Sequence, residues 1–124
     1  FRDAGGKLLI YHGWMDSRVA PLNSVDYFGA VTRAMGGAPA TGAFARLVMV
    51  PGMEHCWGGS GPFAIDYISA MEAWVERGEA PQELRAAHRR PPVDPQAEAT
   101  FIHTFPARPG EETDVRTLMT WPAR

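Results

Sequence analysis

The chain has 124 residues, 45% of them apolar, with a formal net charge of −2. That supplies the apolar surface for one packed core, and the near-neutral charge gives no electrostatic footprint for nucleic acid or an anionic membrane surface. No apolar run approaches the roughly 20 residues needed to span a bilayer, and the single cysteine, Cys56, has no partner for an intrachain disulfide.

Gly5-Gly6 predicts a turn, and the apolar run that follows predicts a buried parallel strand near residues 7–11. Phe1-Arg2-Asp3 enters this region without the pattern of a signal peptide, which says nothing of secretion if the natural N-terminus lies further upstream. Pro21-Leu22-Asn23-Ser24 reads as a helix start, with Asn23 or Ser24 as the cap. Val25, Phe28, Val31, Thr32 and Met35 recur at helical spacing, which predicts a helix near 24–35 ended by Gly36-Gly37. Ala38 to Gly42 reads as a small-residue loop. A second buried strand is predicted at 45–50, stopped by Pro51-Gly52.

Beyond the glycine-rich loop Trp57 to Gly61, a helix is predicted near 62–77. It would carry Ile65, Ile68, Met71, Trp74 and Val75 on one face, with Gly78 as terminator. Strand, helix, strand, helix with short connections is the pattern of an α/β fold. Seven of the 11 prolines fall after residue 80, so residues 81–124 are expected as an irregular, extended, proline-rich tail packing on the domain formed by 1–80.

Each strand runs into a glycine turn that delivers a chemically useful side chain: Tyr11-His12-Gly13-Trp14-Met15-Asp16 after the first, Pro51-Gly52-Met53-Glu54-His55-Cys56 after the second. An acid and then a histidine, each past the end of a parallel strand, is the placement of the last two members of a Ser-Asp-His triad in the α/β-hydrolase fold. His55 would be the general base and Asp16 the acid that orients it. Thirty-nine positions separate them, room for a helix and a strand. Asp16 could equally be a turn former, and His55 an ordinary loop histidine; the pairing and the strand-end context favour catalysis. His12 reads as a structural residue at the strand end, and His88 and His103 as surface positions. Trp14, Met53 and Trp57 are candidate pocket residues. No CxxC, HExxH or similar spacing supports a metal, and no cofactor is implied. None of Ser17, Ser24, Ser60 and Ser69 sits in a G-x-S-x-G elbow, so the nucleophile is expected upstream of Phe1 and the chain alone is expected to be inactive.

The stretches from Gly5 to Asp16 and from Pro51 to Cys56, with Trp74-Val75-Glu76-Arg77-Gly78-Glu79-Ala80-Pro81, resemble the C-terminal part of the tannase and feruloyl esterase family. A weaker echo runs from Arg116 to Pro122. The resemblance implies the C-terminal portion of a serine esterase acting on esters of hydroxycinnamic, gallic or related aromatic acids. It also implies that Cys56, next to the base, bridges to a cysteine beside the missing nucleophile, tying the two loops together in a secreted or periplasmic protein. At Met119 the family commonly has a cysteine, so no further bridge in the tail is implied.

Two alternatives stand beside this one. Another α/β-hydrolase, a peptidase or a dienelactone-type enzyme, fits the same acid and base, although the cysteine after His55 argues against it. A catalytically inactive interaction or dimerisation module is the other, because two parallel strands alone expose an edge that invites self-association.

Overall fold

A computed structural model describes residues 1–89 and 112–121. Strand β1 (Leu8–Gly13) pairs in parallel with β2 (Ala45–Val50), in register from Leu8↔Ala45 to Gly13↔Val50. β2 is an apolar run because both its faces are covered. Ala45, Leu47 and Met49 point to one side and pack with Phe28 and Phe44, joined by Leu8 and Ile10 from β1. Val48 and Val50 point to the other, against Met53, Phe63, Ile65, Leu84, Ala86 and Leu118. Among the described residues β1 is paired on one edge only.

Helix α1 (Leu22–Ala34) connects the two strands and buries Val25, Phe28 and Val31 against the first of these clusters. Its start differs from the sequence expectation. Pro21 occupies the cap position without a side-chain hydrogen bond, and Ser24 lies inside the first turn with its hydroxyl 2.7 Å from His12 Nδ1. The small-residue loop is also helical: α2 (Ala38–Gly42) is a single short turn, begun by Pro39 and by Gly37 with φ of 105°.

The predicted helix near 62–77 begins later. Phe63, Ala64 and Ile65 are consecutively buried, which a strand covered on both faces accommodates and an amphipathic helix does not. Ala64–Ile65 forms β3, and Asp66 then caps α3 (Tyr67–Arg77) by accepting from the Ser69 N–H at 3.1 Å. Gly78 ends α3 in the left-handed conformation. The buried face is Tyr67, Ala70 and Trp74, while Ile68 and Val75 face outward. Trp74 decides this orientation: its ring lies 5.2 Å from the guanidinium carbon of Arg46, which itself donates to the carbonyls of Gly42, Ala45 and Pro81.

The expectation of an irregular segment after residue 81 is corrected at both ends. β4 (Glu83–Arg89) pairs antiparallel with β3 and with β5 (Glu112–Met119). No proline falls inside either strand, and Leu84, Ala86 and Leu118 are buried in the core. Proline count over the whole segment therefore misreads these two stretches. Residues 90–111, where five of those prolines and His103 lie, are outside the described residues.

Candidate active site

The ends of β1 and β2 are held together by backbone. Beyond the last ladder pair, Trp14 N–H donates to Val50 O at 3.0 Å and Met15 N–H to Met53 O at 3.0 Å. Gly13 touches the Met53 and Glu54 carbonyls where any side chain would sit. The loop after β2 then folds back on itself. Gly61 N–H donates to Gly52 O, Glu54 N–H to Gly58 O, and Met53 bridges Gly59. Positive φ at Gly52, Gly58 and Gly59 allows that tight return, and His55 and Cys56 sit at its tip. Cys56 is exposed and has φ of 68°, a left-handed conformation uncommon for a side chain other than glycine.

These two loops bring the carboxylate and the imidazole into contact. His55 Nδ1 lies 2.8 Å from Asp16 Oδ2. The Asp16 side chain is 2% exposed and that of His55 is 40% exposed, so the acid is enclosed and the base opens outward. Oδ1 of Asp16 accepts the backbone N–H groups of Arg18 (2.8 Å) and Val19 (2.9 Å), and Oδ2 also meets His12 Nε2 at 3.0 Å. Burial pushes the Asp16 carboxyl up, but hydrogen bonds from Val19, His55, Arg18 and His12 more than offset it and hold the group well below the usual carboxylate range. Asp16 is therefore ionised, His55 Nδ1 carries its proton toward it, and the lone pair of the neutral ring lies at Nε2.

A cavity of about 290 Å³ opens over this pair, lined by Tyr11, His12, Gly13, Asp16, Val19, Met53, His55 and Cys56. Met53 is thus in the lining; Trp14 instead packs edge-on to Trp121, and Trp57 edge-on to Phe63. Tyr11 and Val19 are lining residues that the sequence did not mark. Alternation along β1 could have suggested Tyr11, but nothing local distinguishes Val19. Tyr11 stacks on Tyr67 with ring centroids 4.3 Å apart, and burial followed by the proximity of Cys56 pushes its hydroxyl pKa up.

Among the described residues no serine hydroxyl hydrogen-bonds His55: Ser24 reaches His12 and Ser60 reaches Met15. Among the described residues, too, no three His, Cys, Asp or Glu side chains converge as a metal site, and no helix is long and apolar enough to cross a membrane. His88 is half-buried, and its Nδ1 lies 2.8 Å from the Gly61 carbonyl.

Comparison with known proteins places this geometry in context. The sequence model of the family described as tannase and feruloyl esterase matches residues 1–124. The chain is 48% identical over 86 residues to the mono(2-hydroxyethyl) terephthalate hydrolase of Piscinibacter sakaiensis, covering 69% of this chain and 14% of that protein. It is 35% identical over 135 residues to a probable feruloyl esterase B-2 of Aspergillus oryzae, covering 92% of this chain and 26% of that one. The fold is similar to the crystal structure of feruloyl esterase B from Aspergillus oryzae, with a TM-score of 0.78 and 27% identity over 98% of this chain and 24% of that chain. It is also similar to the tannin acyl hydrolase from Aspergillus niger, with a TM-score of 0.74 and 27% identity over 98% of this chain and 21% of that chain. The chain thus spans about a quarter or less of the length of these relatives.

Proposed function

The chain belongs to the tannase and feruloyl esterase family, and on that premise we propose that it is the C-terminal part of an α/β-hydrolase catalytic domain, contributing the acid and base of a Ser-His-Asp carboxylic ester hydrolase. The observation that carries the proposal is the 2.8 Å contact between His55 Nδ1 and Asp16 Oδ2, with the acid enclosed and the base open to a cavity. In this reading the serine comes from polypeptide upstream of Phe1. His55 Nε2 takes the serine proton as the hydroxyl oxygen attacks the ester carbonyl, then returns a proton to the leaving alkoxide. Asp16 holds the ring in the Nδ1–H tautomer and stabilises the imidazolium without accepting the proton.

The names of the relatives support an ester of an aromatic acid as the substrate class, such as a feruloyl or tannin ester or a terephthalate monoester. The second half of the chain is proposed to pack on the same domain, a reading supported by Leu84 and Leu118 sharing a core with Val48 and Val50. Cys56 is proposed to bridge to a cysteine beside the serine; its exposure and left-handed backbone at the loop tip fit a residue fixed by a crosslink. Such a bridge requires an oxidising, secreted or periplasmic setting. The open edge of β1 would take up a strand of the upstream polypeptide. That same edge is the one observation favouring the inactive self-associating module as a second reading.

The test is ester hydrolysis by the full-length polypeptide that contains this segment, using methyl ferulate and mono(2-hydroxyethyl) terephthalate. Turnover by the parent and its loss in His55→Ala support the proposal. An unaffected His55→Ala variant overturns it, and turnover by the 124-residue chain alone, abolished by the same change, would overturn its being a catalytically incomplete part.

A further inference from the structure

We infer that His12, held by Ser24, is a positioning residue for the Asp16–His55 pair. The inference rests on the esterase reading above and adds a component to it.

The geometry is a line of four side chains. Ser24 Oγ lies 2.7 Å from His12 Nδ1, His12 Nε2 lies 3.0 Å from Asp16 Oδ2, and that same oxygen lies 2.8 Å from His55 Nδ1. The partners assign the tautomer of His12. Nε2 faces two acceptors, Asp16 Oδ2 and the Val19 carbonyl at 3.2 Å, so it carries the hydrogen. In the neutral ring Nδ1 is then an acceptor, and the Ser24 hydroxyl donates to it. Ser24 sits in the first turn of α1, three residues past Pro21 at the cap position, and α1 has no side-chain cap. Its hydroxyl serves the imidazole instead.

With His12 in place, Asp16 receives four N–H donors, two on each oxygen. A carboxylate has about four lone-pair sites in all. This one is filled, and its plane is fixed from three directions: the backbone at 18–19, His12 and His55. The His12 and Asp16 side chains are 11% and 2% exposed, so water offers little substitute for a lost donor. Without His12, Oδ2 is held on the His55 side alone and the carboxylate can turn about its remaining backbone anchor. The cost falls on how well the base is aimed, which is felt in the chemical step more than in substrate binding.

The test uses the full-length esterase with His12→Leu, His12→Gln, Ser24→Ala and His55→Ala, each assayed for kcat, KM and melting temperature. His12→Leu is expected to lower kcat by about tenfold to a hundredfold while KM stays within about twofold. His12→Gln keeps an N–H at the reach of Nε2 and is expected to recover most of that loss. Ser24→Ala is expected to lower kcat by a few-fold, on the order of one lost hydrogen bond. Should His12→Leu fail to fold, the inference stands on a His12→Gln kcat close to that of the parent together with a few-fold loss of kcat in Ser24→Ala, and an unchanged kcat in Ser24→Ala then overturns it. An unchanged kcat in His12→Leu, a glutamine variant no better than leucine, or losses confined to melting temperature would overturn the inference. Activity surviving in His55→Ala instead sinks the esterase reading, independently of the His12 variants.

Discussion

Gly13 lies against Met53 so closely that a β-carbon built on it would overlap the Met53 carbonyl oxygen, and that of Glu54 beside it. This is the contact from which the site is assembled, because Asp16 follows three residues after Gly13 and His55 two residues after Met53. The glycine is required by proximity rather than by an unusual backbone angle. Gly13→Ala must move backbone, since the atoms it meets are carbonyls and not flexible side-chain ends. It is expected to lower stability by about 1–3 kcal/mol, the usual range for overpacking. The folded fraction should also lose on the order of a hundredfold in kcat, because the shift separates acid from base. Thermal melts and active-site-normalised rates of the full-length enzyme check both.

Asp16→Asn probes the acid directly. The amide would present its own N–H groups, or a weaker carbonyl acceptor, to His55 and His12, both of which donate to Oδ2. The imidazole is then free to take the wrong tautomer, and the imidazolium loses its counter-charge. On the general behaviour of such triads, kcat is expected to fall by about 10⁴ with the fold retained. A loss below about tenfold would mean that Asp16 only shapes the turn.

Acidification should weaken the fold through the same group. Burial raises the Asp16 carboxyl, and the four hydrogen bonds lower it further than burial lifts it, so its folded value lies below its unfolded value of about 3.9. A depressed acid stabilises the folded state fully above that unfolded value. The contribution shrinks as pH falls below about 4 and is gone once pH passes below the folded value. Urea unfolding from about pH 7 to about pH 3 should therefore show a smaller loss of stability in Asp16→Asn than in the parent. Parallel curves would show that Asp16 is not a protonation-linked element of the fold.

The parts legible in the sequence were those set by strong local pattern. The unbroken apolar run Leu47-Val48-Met49-Val50, stopped by Pro51-Gly52, reads as a strand covered on both faces, and Gly78 reads as the terminator of α3. Asp16 and His55 stood out because each closes such a strand. What the sequence concealed depends on tertiary contact. Ser24 looks like a helix cap until His12 is seen beside it, and Phe63-Ala64-Ile65 looks helical until β4 is there to pair with it. Trp74 turns α3 so that Ile68 faces outward, against the apolar spacing, because Arg46 lies over its ring. The strands at 83–89 and 112–119 were hidden by prolines that all lie outside them.

Leu118 tests whether that last strand belongs to the same core. It is 5% exposed and packs in one cluster with Val48 and Val50 of β2 and with Leu84 of β4. The end of β5 is also stitched to β2 directly, since Trp121 N–H donates to Leu47 O at 2.7 Å. If β5 is integral, Leu118→Ala leaves a cavity beneath β2, the strand that leads to the His55 loop, and stability should fall by about 2–5 kcal/mol. An appended segment would lose its own order with little change in the main unfolding transition. Denaturant unfolding followed by tryptophan fluorescence separates the two outcomes: one transition shifted to lower midpoint for an integral strand, an unmoved main transition for an appended one.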